Sequence, residues 1–93
     1  MIQLVPSRSV CPFLESLPVK QLSQVMRKVG ALLKDPRPAD SIKIGEHKGF
    51  TVFRADCGEY RIVYSFDKLN LYLWVVDRRN DMTAYKVFDR MKS

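Results

Sequence analysis

Long apolar runs are missing from this sequence. Its longest hydrophobic stretches fall far below the ~20 residues that a membrane-spanning helix needs. The start, Met1-Ile2-Gln3-Leu4-Val5-Pro6, has neither the basic n-region nor the extended apolar h-region of a secretion signal. Cysteine occurs only twice, and Cys11 and Cys57 form no C-x-x-C pair, so a metal ribbon and a disulfide framework are both excluded. These absences predict a soluble protein of a reducing compartment, the cytoplasm, with two free thiols and no membrane partner. No internal repeat or low-complexity segment interrupts the chain.

Acidic residues are in deficit. Ten Asp and Glu stand against sixteen Lys and Arg, a net charge of +6, and a basic surface favours polyanionic partners such as nucleic acid. Length and composition are those of one domain spanning 1–93: 93 residues with 46% hydrophobic content are enough for one core without staples and too few for two.

Periodicity places the elements. Ile2 and Leu4 flank Gln3, as in a short opening strand ended by Pro6. Ser9 stands at an N-cap position, and Val10, Phe13, Leu14 and Leu17 follow at helical spacing until Pro18. Val19, Leu22, Val25, Met26, Val29, Leu32 and Leu33 then form one apolar stripe, ended near Asp35 by Pro36, so the two segments make a helical hairpin. The stretch 36–48 is rich in Pro, Asp, Ser, Gly and charge and reads as a surface loop, with His47 a solvated residue within it.

Beyond it the period changes to two. Residues 50–55, 59–66 and 69–76 read as three strands of an antiparallel meander, with turns at Gly58 and Asp67-Lys68, and 81–91 reads as a short terminal helix or ordered tail. The fold class expected is α+β: an N-terminal strand and a helical hairpin packed on a three- to four-stranded antiparallel sheet, with a short C-terminal helix.

Strand alternation sorts Phe53, Tyr60, Ile62, Tyr64, Phe66, Leu69, Leu71, Leu73 and Val75 onto a core face. The opposite face collects Phe50, Val52, Arg54, Arg61, Val63, Ser65, Asn70, Tyr72, Trp74 and Val76. On this register Arg54 and Arg61 oppose each other directly, which is destabilising unless an anion lies between them. A phosphate would supply it, with Tyr72 and Trp74 stacking a splayed base. Asp56, Glu59 or Asp77 would serve equally, with Trp74 covering the sheet or meeting a partner protein, and the residues alone leave both readings open. The third strand ends in Asp77-Arg78-Arg79-Asn80, with Tyr85 following.

Taken together, Gly58-Glu59-Tyr60-Arg61-Ile62-Val63-Tyr64, then Val75-Val76-Asp77-Arg78-Arg79 and Tyr85, resemble the C-terminal signature of the RelE/ParE toxins of type II toxin–antitoxin systems. The likeness runs from about Phe50 to Tyr85, and the preceding hairpin has the order expected in that family. For a RelE-like member the resemblance implies a ribosome-dependent endoribonuclease that cuts messenger RNA in the decoding site through the RNA's own 2′-hydroxyl, without metal or cofactor. It also implies a cognate antitoxin.

Carried over position by position, the resemblance makes Arg54, Arg61, Arg79 and Tyr85 the catalytic candidates. Arg61 and Arg79 would clamp phosphate oxygens, since a guanidinium matches them bidentately but stays protonated. Arg54 would assist. Tyr85 is the candidate base if neighbouring cations lower its pKa from about 10. Lys43, Lys48, Tyr72, Trp74 and Arg78 are the candidate RNA-binding residues. One departure stands out: Val52 occupies a position where the best-characterised RelE pattern has a second basic residue, for which Lys43, Lys48 or Arg78 would have to compensate. Two other functions fit the same fold: a ParE-like inhibitor of DNA gyrase, which lacks the Arg and Tyr set, and a non-catalytic module binding RNA or antitoxin.

Overall fold

The computed structural model describes residues 2–78. Arg79, Tyr85 and the expected C-terminal helix over 81–91 lie outside the described residues. The chain runs β1 (Gln3–Pro6), α1 (Val10–Glu15), α2 (Val19–Lys34), β2 (Ile42–His47), β3 (Phe50–Cys57), β4 (Tyr60–Phe66) and β5 (Asn70–Arg78). The five strands form one sheet in the order β1-β5-β4-β3-β2. The expected α+β class and the β3-β4-β5 meander are as observed, but the sheet gains two edges. Strand β1 pairs in parallel with β5, making the sheet mixed rather than antiparallel. Strand β2 lies within what the sequence reads as a loop.

That loop reading fails because β2 is an irregular edge strand. Its pairing with β3 shifts between Lys43 and Gly45, and a bulge breaks the two-residue alternation that would have revealed it. Such charged, bulged strands are how sheets blunt an exposed edge.

The helical hairpin covers one face. Val10, Val25, Val29 and Leu32 pack with Phe53, Ala55, Ile62, Tyr64, Leu71, Leu73 and Val76 in the main core. Pro18 stands at the start of α2 with φ −57°, a conformation its ring already holds and where no intrahelical donor is needed. Ser9 makes no side-chain capping bond to α1. Its hydroxyl and that of Ser7 instead donate to the Trp74 carbonyl, at 3.4 and 2.6 Å.

Trp74 is where the expected face assignment breaks. Tyr64 pairs with Leu73 and Val63 with Val75, leaving Trp74 as the extra residue of a bulge, and past a bulge the parity of a strand reverses. Val76, expected on the open face, therefore enters the main core. Val75, expected in the core, joins Val52 and Val63 in a second buried cluster on the other face, against Ile44 and Trp74. Leu69, also expected in the core, lies in the turn and is 71% exposed. Here Asp67 caps the turn by accepting from the backbone N–H groups of Leu69 and Asn70 at 2.9 and 2.8 Å. Those two donors hold its carboxyl below the usual carboxylate range.

Candidate nucleic-acid interface on the open sheet face

Arg54 on β3 and Arg61 on β4 stand on the face away from the helices, as expected, yet they do not oppose each other. Arg54 pairs with Val63, and Arg61 pairs with Asp56. On its other side Arg61 pairs with Asp77 of β5. Arg61 Nε donates to Asp56 Oδ1 at 3.0 Å, and Arg54 Nη1 lies 3.4 Å from both Asp56 oxygens. The anion needed between the two cations is thus Asp56, one of three carboxylates that the sequence left open for that place.

Gly58 makes this juxtaposition possible. Its φ of +59° is in the left-handed region that glycine enters without steric cost, so β3 reverses into β4 within two residues and Asp56 meets Arg61 across the ladder. A side chain at 58 would also run into Gln24 of α2.

The other end of the face is aromatic. Tyr72 and Trp74 stack with ring centroids 5.8 Å apart and an interplanar angle of 13°, and Phe50 lies 4.8 Å from Tyr72. Trp74 Nε1 donates to Ser65 Oγ at 2.8 Å, and Ser65 Oγ donates to the Thr51 carbonyl at 2.7 Å. The Tyr72 hydroxyl donates to Asp67 at 3.2 Å. These bonds orient the rings before any ligand arrives.

His47 belongs to this end, which corrects its reading as a solvated loop residue. It pairs with Phe50, is 6% exposed, and meets Trp74 edge-on at 5.0 Å. From Phe50 to Asp56 is six residues, about 20 Å at the usual strand rise, so the open face has an aromatic end and a charged end. Between them lies the buried Val52, Val63 and Val75 patch. Val52 itself is 0% exposed, packed where a cation would be desolvated.

The remaining candidates scatter. Lys43 pairs with Phe53, a residue of the main core, so by register it stands on the helix-covered side and cannot stand in for the missing cation at 52. Lys48 lies in the β2–β3 turn with φ +51°, exposed, at the aromatic end and far from Arg61. Arg78, the last residue of β5, pairs with Tyr60, whose ring meets Phe13 of α1, so its register position is also on the helix side. The side of Arg78 was missed because strand alternation did not contain the β5 bulge, and that of Lys43 because its stretch was read as a loop. Of nine candidate residues, the structure gathers Arg54 with Arg61 and Tyr72 with Trp74; Arg79 and Tyr85 lie outside the described residues.

Both thiols are free, Cys11 exposed and Cys57 buried. The Cys57 thiol donates to the Gln24 carbonyl at 3.3 Å, and burial raises its pKa. Among the described residues no helix is long and apolar enough to cross a membrane.

A hairpin of helices over one side of a mixed five-stranded sheet, with a charged and aromatic opposite side, defines an α+β domain. Two solved structures are similar in fold. A chain of the archaeal RelE–RelB complex from Pyrococcus horikoshii OT3 superposes with a TM-score of 0.74 at 22% identity, covering 86% of this chain and 97% of that one. A chain of the toxin–antitoxin complex RelBE2 from Mycobacterium tuberculosis gives a TM-score of 0.67 at 22% identity, covering 84% and 98% respectively. No family model and no curated protein sequence matches the chain. The RelE resemblance seen in the strand residues thus holds for the fold.

Proposed function

We propose that this protein is the toxin of a type II toxin–antitoxin pair and cleaves messenger RNA on the ribosome. The observation that carries the reading is the convergence of the Arg54 and Arg61 guanidinium groups on one carboxylate, on the sheet face that the helices leave uncovered. Two guanidinium forks held around an anion are the arrangement that a scissile phosphate requires. The fold shared with chains of RelE–RelB and RelBE2 complexes supports the same reading and makes a cognate antitoxin the expected protein partner.

The chemistry follows from what the reaction needs. The 2′-oxygen must lose its proton, attack the adjacent phosphorus and displace the 5′-oxygen, which takes up a proton from water, leaving a 2′,3′-cyclic phosphate and a 5′-hydroxyl. Arg61 and Arg54, with Arg79, neutralise the phosphate oxygens as charge develops. Tyr85, as phenolate, takes the 2′-proton. Tyr72 and Trp74 offer a surface on which a neighbouring base stacks. No step in this scheme calls for a metal or cofactor.

Incubating the protein with ribosomes and messenger RNA tests the reading. Cutting by wild type that is lost in Tyr85→Phe and Arg61→Ala supports the ribonuclease. No cutting by wild type, with gyrase inhibited instead, replaces it by the ParE-like alternative; no effect in either assay leaves a binding module.

A further inference from the structure

Asp56 stands inside the cluster that the proposed reaction uses for phosphate. It faces Arg61 directly across the β3–β4 ladder and lies two residues from Arg54 on the same face. Its Oδ1 accepts from Arg61 Nε at 3.0 Å, and Arg54 Nη1 approaches both of its oxygens at 3.4 Å. The two arginine side chains are 21% and 13% exposed, while the carboxylate between them is 33% exposed and so within reach of solvent.

Carboxylate and phosphate make the same demand of a guanidinium: two acceptor oxygens in the plane of its fork. A carboxylate that already engages one nitrogen of each guanidinium therefore does two things. It cancels the repulsion that would otherwise drive Arg54 and Arg61 apart. It also reduces the charge of the trio from +2 to +1, so an incoming phosphate gains only the difference between two anions.

We propose that Asp56 is an intramolecular stand-in for the substrate phosphate, holding Arg54 and Arg61 assembled in the free protein and giving way when RNA binds. The inference rests on the reading above, in which this cluster receives phosphate. Asp56 is then a positioning residue: it sets the two guanidinium groups and limits RNA affinity, but takes no part in bond making.

Asp56→Asn is nearly isosteric and keeps an oxygen acceptor for Arg61 Nε while removing the charge. The probe is a short 2′-O-methyl oligoribonucleotide, which lacks the attacking hydroxyl, and its affinity for the full chain is measured across a salt series. With the two part-buried ion pairs no longer competing with phosphate, Asp56→Asn should bind about five- to tenfold more tightly. Its log affinity should fall more steeply with log salt, by about 0.7 for one added phosphate contact on a single strand. Asp56→Glu, restoring the charge, should return both quantities toward wild type. A residue that merely supported the hairpin would shift the melting temperature and leave the salt slope alone.

Wild-type binding that Arg61→Ala weakens, with Asp56→Asn equal to or weaker than wild type, overturns the stand-in role and leaves the proposed function intact. No binding by either wild type or Asp56→Asn removes the phosphate site itself, and the inference with it.

Discussion

The hydroxyl of Ser7 donates to the backbone carbonyl of Trp74 at 2.6 Å, across 67 residues of chain. Trp74 is the extra residue of the β5 bulge, and a bulged residue has no ladder partner. The Ser7 hydroxyl supplies the missing partner, and the Ser7 N–H donates to the Leu73 carbonyl at 2.8 Å. The segment after β1 thereby fixes the bulge, and the bulge sets which face each later residue of β5 occupies.

Ser7→Ala should therefore destabilise the fold by about 1 kcal/mol, the worth of one such bond. Thermal denaturation should register a drop of roughly 4–8 °C for a domain of this size. Ser9→Ala, which removes two longer contacts of 3.4 Å, to the Trp74 carbonyl and the Ser7 hydroxyl, should stay within about 0.5 kcal/mol of wild type.

Leu69 tests the position of the second turn. At 71% exposure its replacement by Ser should change stability by no more than about 0.5 kcal/mol. Leu71, fully buried in the main core, should cost about 2–5 kcal/mol when cut to Ala. Urea midpoints for the two variants would decide it; comparable losses would return Leu69 to the core.

Val52→Lys, which puts a cation at the position where the RelE pattern carries one, should not help. The site is 0% exposed and closed by Val63 and Val75, so the variant should lose about 3 kcal/mol or more in desolvation and disrupted packing. Chemical denaturation should show a lowered midpoint, and RNA cleavage should not rise.

Arg61→Ala and Lys43→Ala separate the two sides of the sheet. Removing Arg61 should lower cleavage about 100-fold or more, the usual scale for one preorganised donor to a transition-state charge, while the main core on the opposite face stays assembled. Lys43, whose register places it beside Phe53 on the helix side, should leave the cleavage rate unchanged when replaced by Ala. A ribosome-dependent cleavage assay alongside circular dichroism distinguishes these outcomes from misfolding.

Alkaline stability should report on Tyr64. Its hydroxyl donates to the Pro36 carbonyl at 2.6 Å, and burial pushes its pKa up from 10.0 to about 12. The folded state thus holds this proton more tightly than the unfolded state. Its contribution is complete below pH 10 and is lost as pH rises through 12, at up to about 1.4 kcal/mol per pH unit in that window. Tyr64→Phe should flatten this part of the stability-against-pH curve, and an unchanged slope would contradict the assignment.

Much of this architecture was readable from local pattern. The stripe from Val19 to Leu33 marks α2 because a helix repeats its faces every 3.6 residues. Alternation around Gly58 marks the β3–β4 hairpin. Arg54 and Arg61 were correctly placed on the open face because no bulge intervenes between them. The face of Lys43 was not readable, because the β2 bulge interrupts the register that would have shown it, and neither was the burial of His47 against Trp74.

The sequence by itself determined the two helices, strands β1 and β3 to β5, the meander and the side of the sheet that carries Arg54 and Arg61, since each depends on the spacing of neighbouring residues. Tertiary structure alone decided the parallel pairing of β1 with β5, the edge strand β2, the exchange of Val75 and Val76 between faces, and the choice of Asp56 as the anion between two arginines. Those features depend on hydrogen bonds and ion pairs between strands. Only the folded sheet says which acceptor each donor meets.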